Sequence, residues 1–322
     1  DGLRVVKLCH VGRTARRALF FIAISGIFRR RFRAALTVST QVMKQFRQRK
    51  RGSLAILSAV LWAGVVFLNS ACAQSQSRTV EGGGTGPYKA LMISEKTLPT
   101  HTVFRPGELN IFENEKKLPV IAWGNGACNN SPWEHVNFLN EVASHGFLVI
   151  AIGPIPEEGE EKRELSKSSL LIDAIEWAIA QNSDKNSSYH NKIDTENIAV
   201  SGMSCGGLQA LEVAPDERIT TVGVFNSGIL PSPDSGMEGM PSLSKEQLKK
   251  LHTPTLYMLG GESDIAYANG MDDFRRINHV PVVMANMDVG HGGTYAEPYG
   301  GEFAKVATAW YQWQLKGDEE AA

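Results

Sequence analysis

The chain is predicted to fold as an α/β domain, a mostly parallel sheet of eight strands flanked by helices, and three features predict it. Apolar runs of strand length alternate with segments of helical periodicity. The later runs are apolar almost throughout, as strands covered on both faces must be. A glycine-rich turn, "GMSCGG" at 202–207, stands between the strand-like "NIAV" and the helix-like "LQALEVA". Strands alternating with helices need crossover connections, and crossovers make parallel sheets.

Taken in order, "KALMI" and "THTVF" are separated by only a few residues and read as an antiparallel hairpin at one edge. The strand series continues with "LPVIAWG" at 118–124, "GFLVIAI" at 146–152, "NIAVSG" at 197–202, "TTVGVF" at 220–225, "TPTLYMLG" at 253–260 and "VPVVMANM" at 280–287. The helical segments between them are "PWEHVNFLNEVASHG", "LLIDAIEWAIAQ", "LQALEVA" and "YANGMDDFRRIN", and "EFAKVATAWYQWQLKG" closes the domain. In the second of these, Leu171, Ile175, Ala178 and Ile179 share one face.

The first quarter of the chain differs in composition from the rest. Residues 1–51 carry fourteen Lys or Arg and one acid, whereas the whole chain of 322 residues has a net charge of −1. The body is therefore acidic, which repels phosphate, and no nucleic-acid partner is expected. From Met43 a basic leader precedes a fifteen-residue apolar run, Leu54 to Leu68, and then the small-x-small site "ACA" ending at Ala73. This is the pattern of a secretory signal peptide over 43–73, and the run is too short for a membrane span. A lipoprotein anchored at Cys72 is the alternative, although Asn69 stands where such a site usually has leucine. Residues 1–42 are set aside as non-native upstream sequence or an extended leader, and 74–87, polar and Gly-rich, as a flexible linker. The catalytic domain is then 88–322, in a secreted or periplasmic protein expected to be a monomer.

Gly202-Met203-Ser204-Cys205-Gly206 fits G-x-S-x-G in the strand-turn-helix context that gives the pattern meaning. A tight turn crowds the backbone, so its flanking positions need glycine, and the serine is lifted above the sheet. Serine attacks only when a positioned base takes its proton and a third group holds that base. "LGGESD" places Asp264 after one strand, and "MDVGHGGTY" places His291 after the last. The order Ser204, Asp264, His291, all at carboxyl ends of strands, suits a nucleophile, acid and base on an open α/β sheet. Glu262 and Asp288 compete for the acid. His135, His145, His190, His252 and His279 lie in helices or connections without a glycine loop after a strand.

These segments resemble the α/β-hydrolase superfamily, and within it the dienelactone-hydrolase-like and polyester-hydrolase or cutinase-like branch. "PVIAWGNGACNN" looks like the oxyanion loop, and "GMSCGG", "GGESD" and "GHGG" like the three triad segments. Dienelactone hydrolases usually carry a cysteine nucleophile; here serine holds that place and cysteine follows it. The resemblance implies that two backbone N–H groups receive the oxyanion, one from Cys205 and one from Ala127, Cys128 or Asn129, with Cys128 favoured. Cys128 and Cys205 would then lie side by side, and a disulfide between them would clamp the loop to the nucleophile turn.

No large lid domain is expected, because only residues 226–252 separate the strand after the nucleophile turn from the next one. The open site that follows suits short-acyl or exposed polymeric esters. Trp123 and Trp133 flank the oxyanion loop and are candidates for stacking on a sugar or aromatic acyl group, against the commoner role of a core aromatic. The charged loop "PIPEEGEEKRELSKSS" at 154–169 lies on the same rim. No cofactor or metal is implied: there is no H-E-x-x-H or C-x-x-C, and "EGGGTG" precedes a strand where a nucleotide loop would follow one. An exported serine carboxylic-ester hydrolase is the reading. An amide or peptide hydrolase with the same triad, or a non-catalytic polysaccharide-binding protein of the same fold, are the alternatives.

Overall fold

The computed structural model describes residues 76–113, 116–155 and 164–322. The expected leader, the expected signal peptide of 43–73 with Cys72, and much of the charged loop at 154–169 lie outside the described residues.

Among the described residues nine strands form one sheet in the order β1-β2-β3-β5-β4-β6-β7-β8-β9. β1 (Ser77–Arg78), β2 (Ala90–Ile93) and β3 (His101–Pro106) make an antiparallel edge, and β3 lies antiparallel to β5 (Leu148–Ile152). The parallel part pairs β5 with β4 (Leu118–Gly124), then β4 with β6 (Ile193–Met203), β7 (Thr221–Phe225), β8 (Thr255–Leu259) and β9 (Val282–Asn286) in succession. β5 stands on one side of β4 and β6 on the other, so the winding reverses there. Such a reversal opens a crevice at the carboxyl ends of the two strands. In this sheet it falls where Gly124 pairs with Gly202.

The side-chain period of two sorts each buried strand between two apolar layers. Val120 and Ala122 of β4 pack with α2 (Ser169–Ser183) and α3 (Cys205–Val213), through Leu171, Ile175 and Leu208 among others. Ile121 and Trp123 face the opposite layer, built on α1 (Val136–Ser144) and α5 (Gly301–Lys316) through Phe138, Leu139 and Phe303. The remaining helix, α4 (Tyr267–Arg276), lies between β8 and β9 in sequence and contributes Phe274 to the first layer. Among the described residues no helix is long and apolar enough to cross a membrane.

One strand and its neighbourhood differ from expectation. β1 falls inside the segment read as a linker and makes the sheet nine-stranded, pairing Ser77 with Ile93 and Arg78 with Met92. Both residues are exposed, so the strand is held by backbone pairing and leaves no apolar alternation to read. The glycines that follow provide close approach. A Cβ on Gly86 would lie 2.3 Å from the Ser144 carbonyl oxygen, and Gly86 N–H donates to Ser144 Oγ at 2.9 Å. Thr85 N–H donates to Glu141 at 2.8 Å, which completes the docking of this segment on α1.

His135, just before α1, is buried with its ring edge-on to Trp123 and Tyr295, and its Nδ1 has no partner among the described residues. Burial pushes its pKa down from 6.5 to about 3. The unfolded chain takes up a proton below pH 6.5 and the folded protein does not until about pH 3. Stability should therefore fall as pH drops through that window, by about 1.4 kcal/mol per pH unit. His135→Phe, compared with the parent by urea unfolding from about pH 7 down to about pH 4, should remove that slope. Equal slopes for the two proteins would refute the assignment.

Candidate active site

Ser204 occupies the turn between β6 and α3 at φ 53° and ψ −116°. A non-glycine residue is rare there, and such strain persists only when the surroundings over-determine it. Here they do so through the backbone. Ser204 N–H donates to the Phe225 carbonyl at 2.9 Å, and the Ser204 carbonyl accepts from Gly207 N–H at 2.9 Å and from Ser227 Oγ at 2.6 Å. The flanking glycines are required by contact. A Cβ on Gly202 would lie 2.3 Å from the Gly206 carbonyl oxygen.

The loops after β8 and β9 bring the other two residues to this serine. His291 Nε2 lies 3.0 Å from Ser204 Oγ, and His291 Nδ1 lies 2.6 Å from Asp264 Oδ1. Asp264 is almost wholly buried, and its two oxygens also accept from Ala266 N–H at 2.9 Å, Gly260 N–H at 3.0 Å and Asn226 Nδ2 at 2.8 Å. Burial by itself pushes the Asp264 carboxyl up, but hydrogen bonds from His291, Ala266, Gly260 and Asn226 outweigh it and hold the pKa below its ordinary 3.8. An ionised Asp264 accepts a hydrogen bond from His291 Nδ1–H, and in that tautomer the lone pair of Nε2 faces the serine hydroxyl.

Among the described residues the competing residues make no hydrogen bond to Ser204 or His291. Asp288 pairs with Ser263 Oγ at 3.5 Å, and Glu262 is exposed. His145 meets Glu141 at 3.1 Å, and His190, His252 and His279 each contact a backbone carbonyl, of Asn182, Asp216 and Leu251.

Beside Ser204, Cys128 and Cys205 are joined in a disulfide with Cα atoms 5.0 Å apart, both fully buried. It ties the turn after β4 to the first residue of α3. That turn passes through two left-handed residues, Ala127 at φ 52° and Cys128 at φ 51°. On its far side the Cys128 carbonyl accepts from Ser166 N–H at 2.8 Å and Ser166 Oγ at 2.9 Å, and Gln209 Nε2 donates to the Ser166 carbonyl at 3.0 Å. Asn129 N–H donates to the Gly126 carbonyl at 3.0 Å and is engaged within the turn. The bond closes a sequence separation of 77 residues, and opening it should cost about 2–4 kcal/mol. Urea unfolding with and without a phosphine reductant measures this, and an unmoved midpoint after verified reduction would contradict it.

Of the two tryptophans, Trp123 is fully buried among Phe138, Phe225, His135 and Tyr295. The expectation that it stacks on substrate is corrected: as an inward residue of a central strand it belongs to the core. Trp133 is 53% exposed, on the short turn leading into α1. A shallow cleft of about 90 Å³ opens at Ser204, lined by Leu208, Leu230, Met240, Ile265 and His291. Met240 also borders a neighbouring depression of about 450 Å³ lined by Ser166, Ser168, Glu212 and Pro241. Between β7 and β8 the chain makes only the 3-10 turns Pro233–Ser235 and Lys245–Lys250, and no lid domain stands there.

Asn226, Tyr295 and Ser166 were not singled out from the sequence. A polar residue at the carboxyl end of "TTVGVF" is the one signal that marks Asn226; nothing local marks the other two.

Residues 120–272 match the sequence profile of a family described as PETase, PET hydrolase-like. The matched stretch contains Cys128, Ser204 and Asp264, and His291 lies beyond it. No curated protein matches the chain.

Proposed function

From a chain whose residues 120–272 belong to the PET hydrolase-like family of α/β-hydrolases, which are carboxylic ester hydrolases of the serine type, we propose the following catalytic roles. Ser204 is the nucleophile, His291 the general base and acid, and Asp264 the residue that orients His291. The observation that carries this reading is the unbroken hydrogen-bonded line from Asp264 through His291 to Ser204 Oγ.

Ser204 Oγ attacks the ester carbonyl as His291 Nε2 takes its proton. The developing oxyanion is received by the N–H of Cys205, at the start of α3, and by that of Cys128, with Ala127 the alternative on the same turn. His291 then protonates the departing alcohol, leaving an acyl group on Ser204. A water molecule, deprotonated by His291, releases the acid and restores the serine. Asp264 keeps its charge throughout and stabilises the imidazolium.

The small apolar cleft at Ser204 and the absence of a lid between β7 and β8 favour short acyl groups and esters exposed on larger substrates. The neighbouring depression gives room for an extended alcohol portion. The buried disulfide agrees with export to an oxidising compartment, as a free secreted or periplasmic protein or one anchored at Cys72.

The test uses the protein from Gln74 onward with p-nitrophenyl acetate, butyrate and octanoate, and with the anilide of the same acyl group. Hydrolysis should fall from acetate or butyrate to octanoate, and the ester should far outrun the anilide. A fluorophosphonate should phosphonylate Ser204 stoichiometrically, located by peptide mass. Efficient anilide cleavage would favour the peptide hydrolase. A folded protein with no turnover and no phosphonylation would favour the non-catalytic polysaccharide binder.

A further inference from the structure

Asn226, the residue directly after β7, is fully buried and adopts a left-handed φ of 42°. Asparagine tolerates that conformation better than most residues, yet it is a cost that the surroundings must justify. Its side-chain amide meets three partners. Nδ2 donates to Asp264 Oδ2 at 2.8 Å and to the Gly290 carbonyl at 3.3 Å, and Oδ1 accepts from the Tyr295 hydroxyl at 2.6 Å. Two acceptors on one side and a donor on the other leave the amide only one satisfactory orientation.

Tyr295 is suited to fix that orientation. Its ring is buried, packed edge-on to His135, Phe138 and Phe303. Burial, with the Asp264 charge nearby, raises its pKa well above the ordinary 10.0, so the hydroxyl keeps its proton and donates. Among the described residues, only two side chains hydrogen-bond the Asp264 carboxylate, His291 and Asn226; its other partners are backbone N–H groups.

We propose that Asn226 and Tyr295 are positioning residues of the triad: Tyr295 locks the Asn226 amide, and Asn226 in turn holds the Asp264 carboxylate in line with His291 Nδ1. The inference rests on the roles assigned above to Ser204, His291 and Asp264. A carboxylate bound to histidine through one oxygen can still swing about its own axis, and the grip on its second oxygen prevents this. That grip comes from Asn226 and Gly260 N–H. It joins the three loops after β7, β8 and β9 in one buried network, the loop after β9 carrying both Tyr295 and His291.

The amide also takes up part of the carboxylate's charge. Without it Asp264 is more basic, and it holds the proton shared with His291 more tightly. Both effects move the acidic limb of the activity profile to higher pH. The titratable groups facing Asp264 are His291 and Tyr295, both from the loop after β9, and the raised tyrosine does not titrate in that range.

The experiment measures kcat and KM against pH for Asn226→Ala and Tyr295→Phe with a soluble p-nitrophenyl ester. For Asn226→Ala, kcat should fall about 10- to 100-fold with KM changed less than about twofold, and the acidic limb of kcat/KM should rise by about one pH unit. Tyr295→Phe removes one oxygen from a packed ring and should move both quantities the same way by a smaller amount. It decides the matter if Asn226→Ala does not fold. An unmoved acidic limb in folded Tyr295→Phe, or a loss confined to KM, would overturn the proposal. Adding Tyr295→Phe to Asp264→Asn should cost nothing further, and a fully additive loss would count against the proposal. The low-field proton resonance of His291 Nδ1–H, recorded without substrate, should shift in both variants. That reading needs no turnover, so it separates failure of this network from failure of the esterase assignment.

Discussion

Alanine in place of Ser204 is expected to lower kcat by about a million-fold while leaving the protein folded and KM nearly unchanged. The size follows from the chemistry: without Oγ there is no acyl-enzyme, and His291 and Asp264 have no proton to manage at that point. What survives is the contribution of the oxyanion donors and of binding, about 10³- to 10⁴-fold over water. The fold should tolerate the change because the hydrogen bonds that hold Ser204 in its strained conformation are made by its backbone. Its N–H reaches Phe225, and its carbonyl receives Gly207 and Ser227. The substitution breaks the hydrogen bond between Oγ and His291 Nε2, 3.0 Å long, and leaves those backbone bonds in place. Alanine also brings no new strain, since a Cβ is already accommodated at φ 53°. Active-site titration with a fluorophosphonate, run beside the kinetics, distinguishes true residual activity from contaminating wild type. A variant retaining more than about 1% of kcat would mean that another group attacks the ester.

Gly206→Ala should be the most damaging single substitution in the nucleophile turn for stability. Its Cβ would lie 2.1 Å from the Gly124 carbonyl oxygen, 2.2 Å from the Gly124 carbonyl carbon and 2.7 Å from Asn125 N, all backbone atoms with no room to withdraw. Relief requires α3 and β4 to separate, and that would pull on the disulfide joining them. A loss of more than about 4 kcal/mol is expected. In a domain of this size that lowers Tm by about 10 °C or more, or prevents folding. Gly292→Ala is the control, because a Cβ there meets nothing within 4 Å. It lies next to His291 yet should change stability by no more than about 0.5 kcal/mol. Thermal unfolding of the two variants in parallel gives the comparison. Equal melting temperatures would show that the contact between β4 and α3 is far softer than its geometry implies.

Most of the architecture was legible along the chain because burial on both faces leaves a local record. β4 begins and ends with the run "LPVIAWG", and α2, α4 and α5 agree with their segments to within a few residues. The proposed triad was legible for a related reason: Ser204, Asp264 and His291 each follow a strand that could be recognised, inside a glycine-containing loop. Chain order and strand ends therefore reduced a search through eight histidines and many carboxylates to three positions.

What escaped was whatever depends on contacts between distant segments. β1 joins the sheet by pairing its backbone with β2, and its exposed Ser77 and Arg78 leave no apolar periodicity to detect. The glycines at 82–86 look like a flexible stretch in sequence, and their role appears only when α1 is brought against Gly86. Trp123 looked available beside the oxyanion loop, and the pleat of β4 turned it inward. Asn226 and Tyr295 are 69 residues apart and have no common motif.

By itself, then, the sequence determined the layered α/β sheet and the three residues placed at its strand ends, because periodicity and turn chemistry act over a few residues. The tertiary structure alone decided which side chains grip Asp264, which face Trp123 takes and how the first strand joins the sheet. Those outcomes depend on hydrogen bonds and packing between segments tens of residues apart, and no local pattern encodes them.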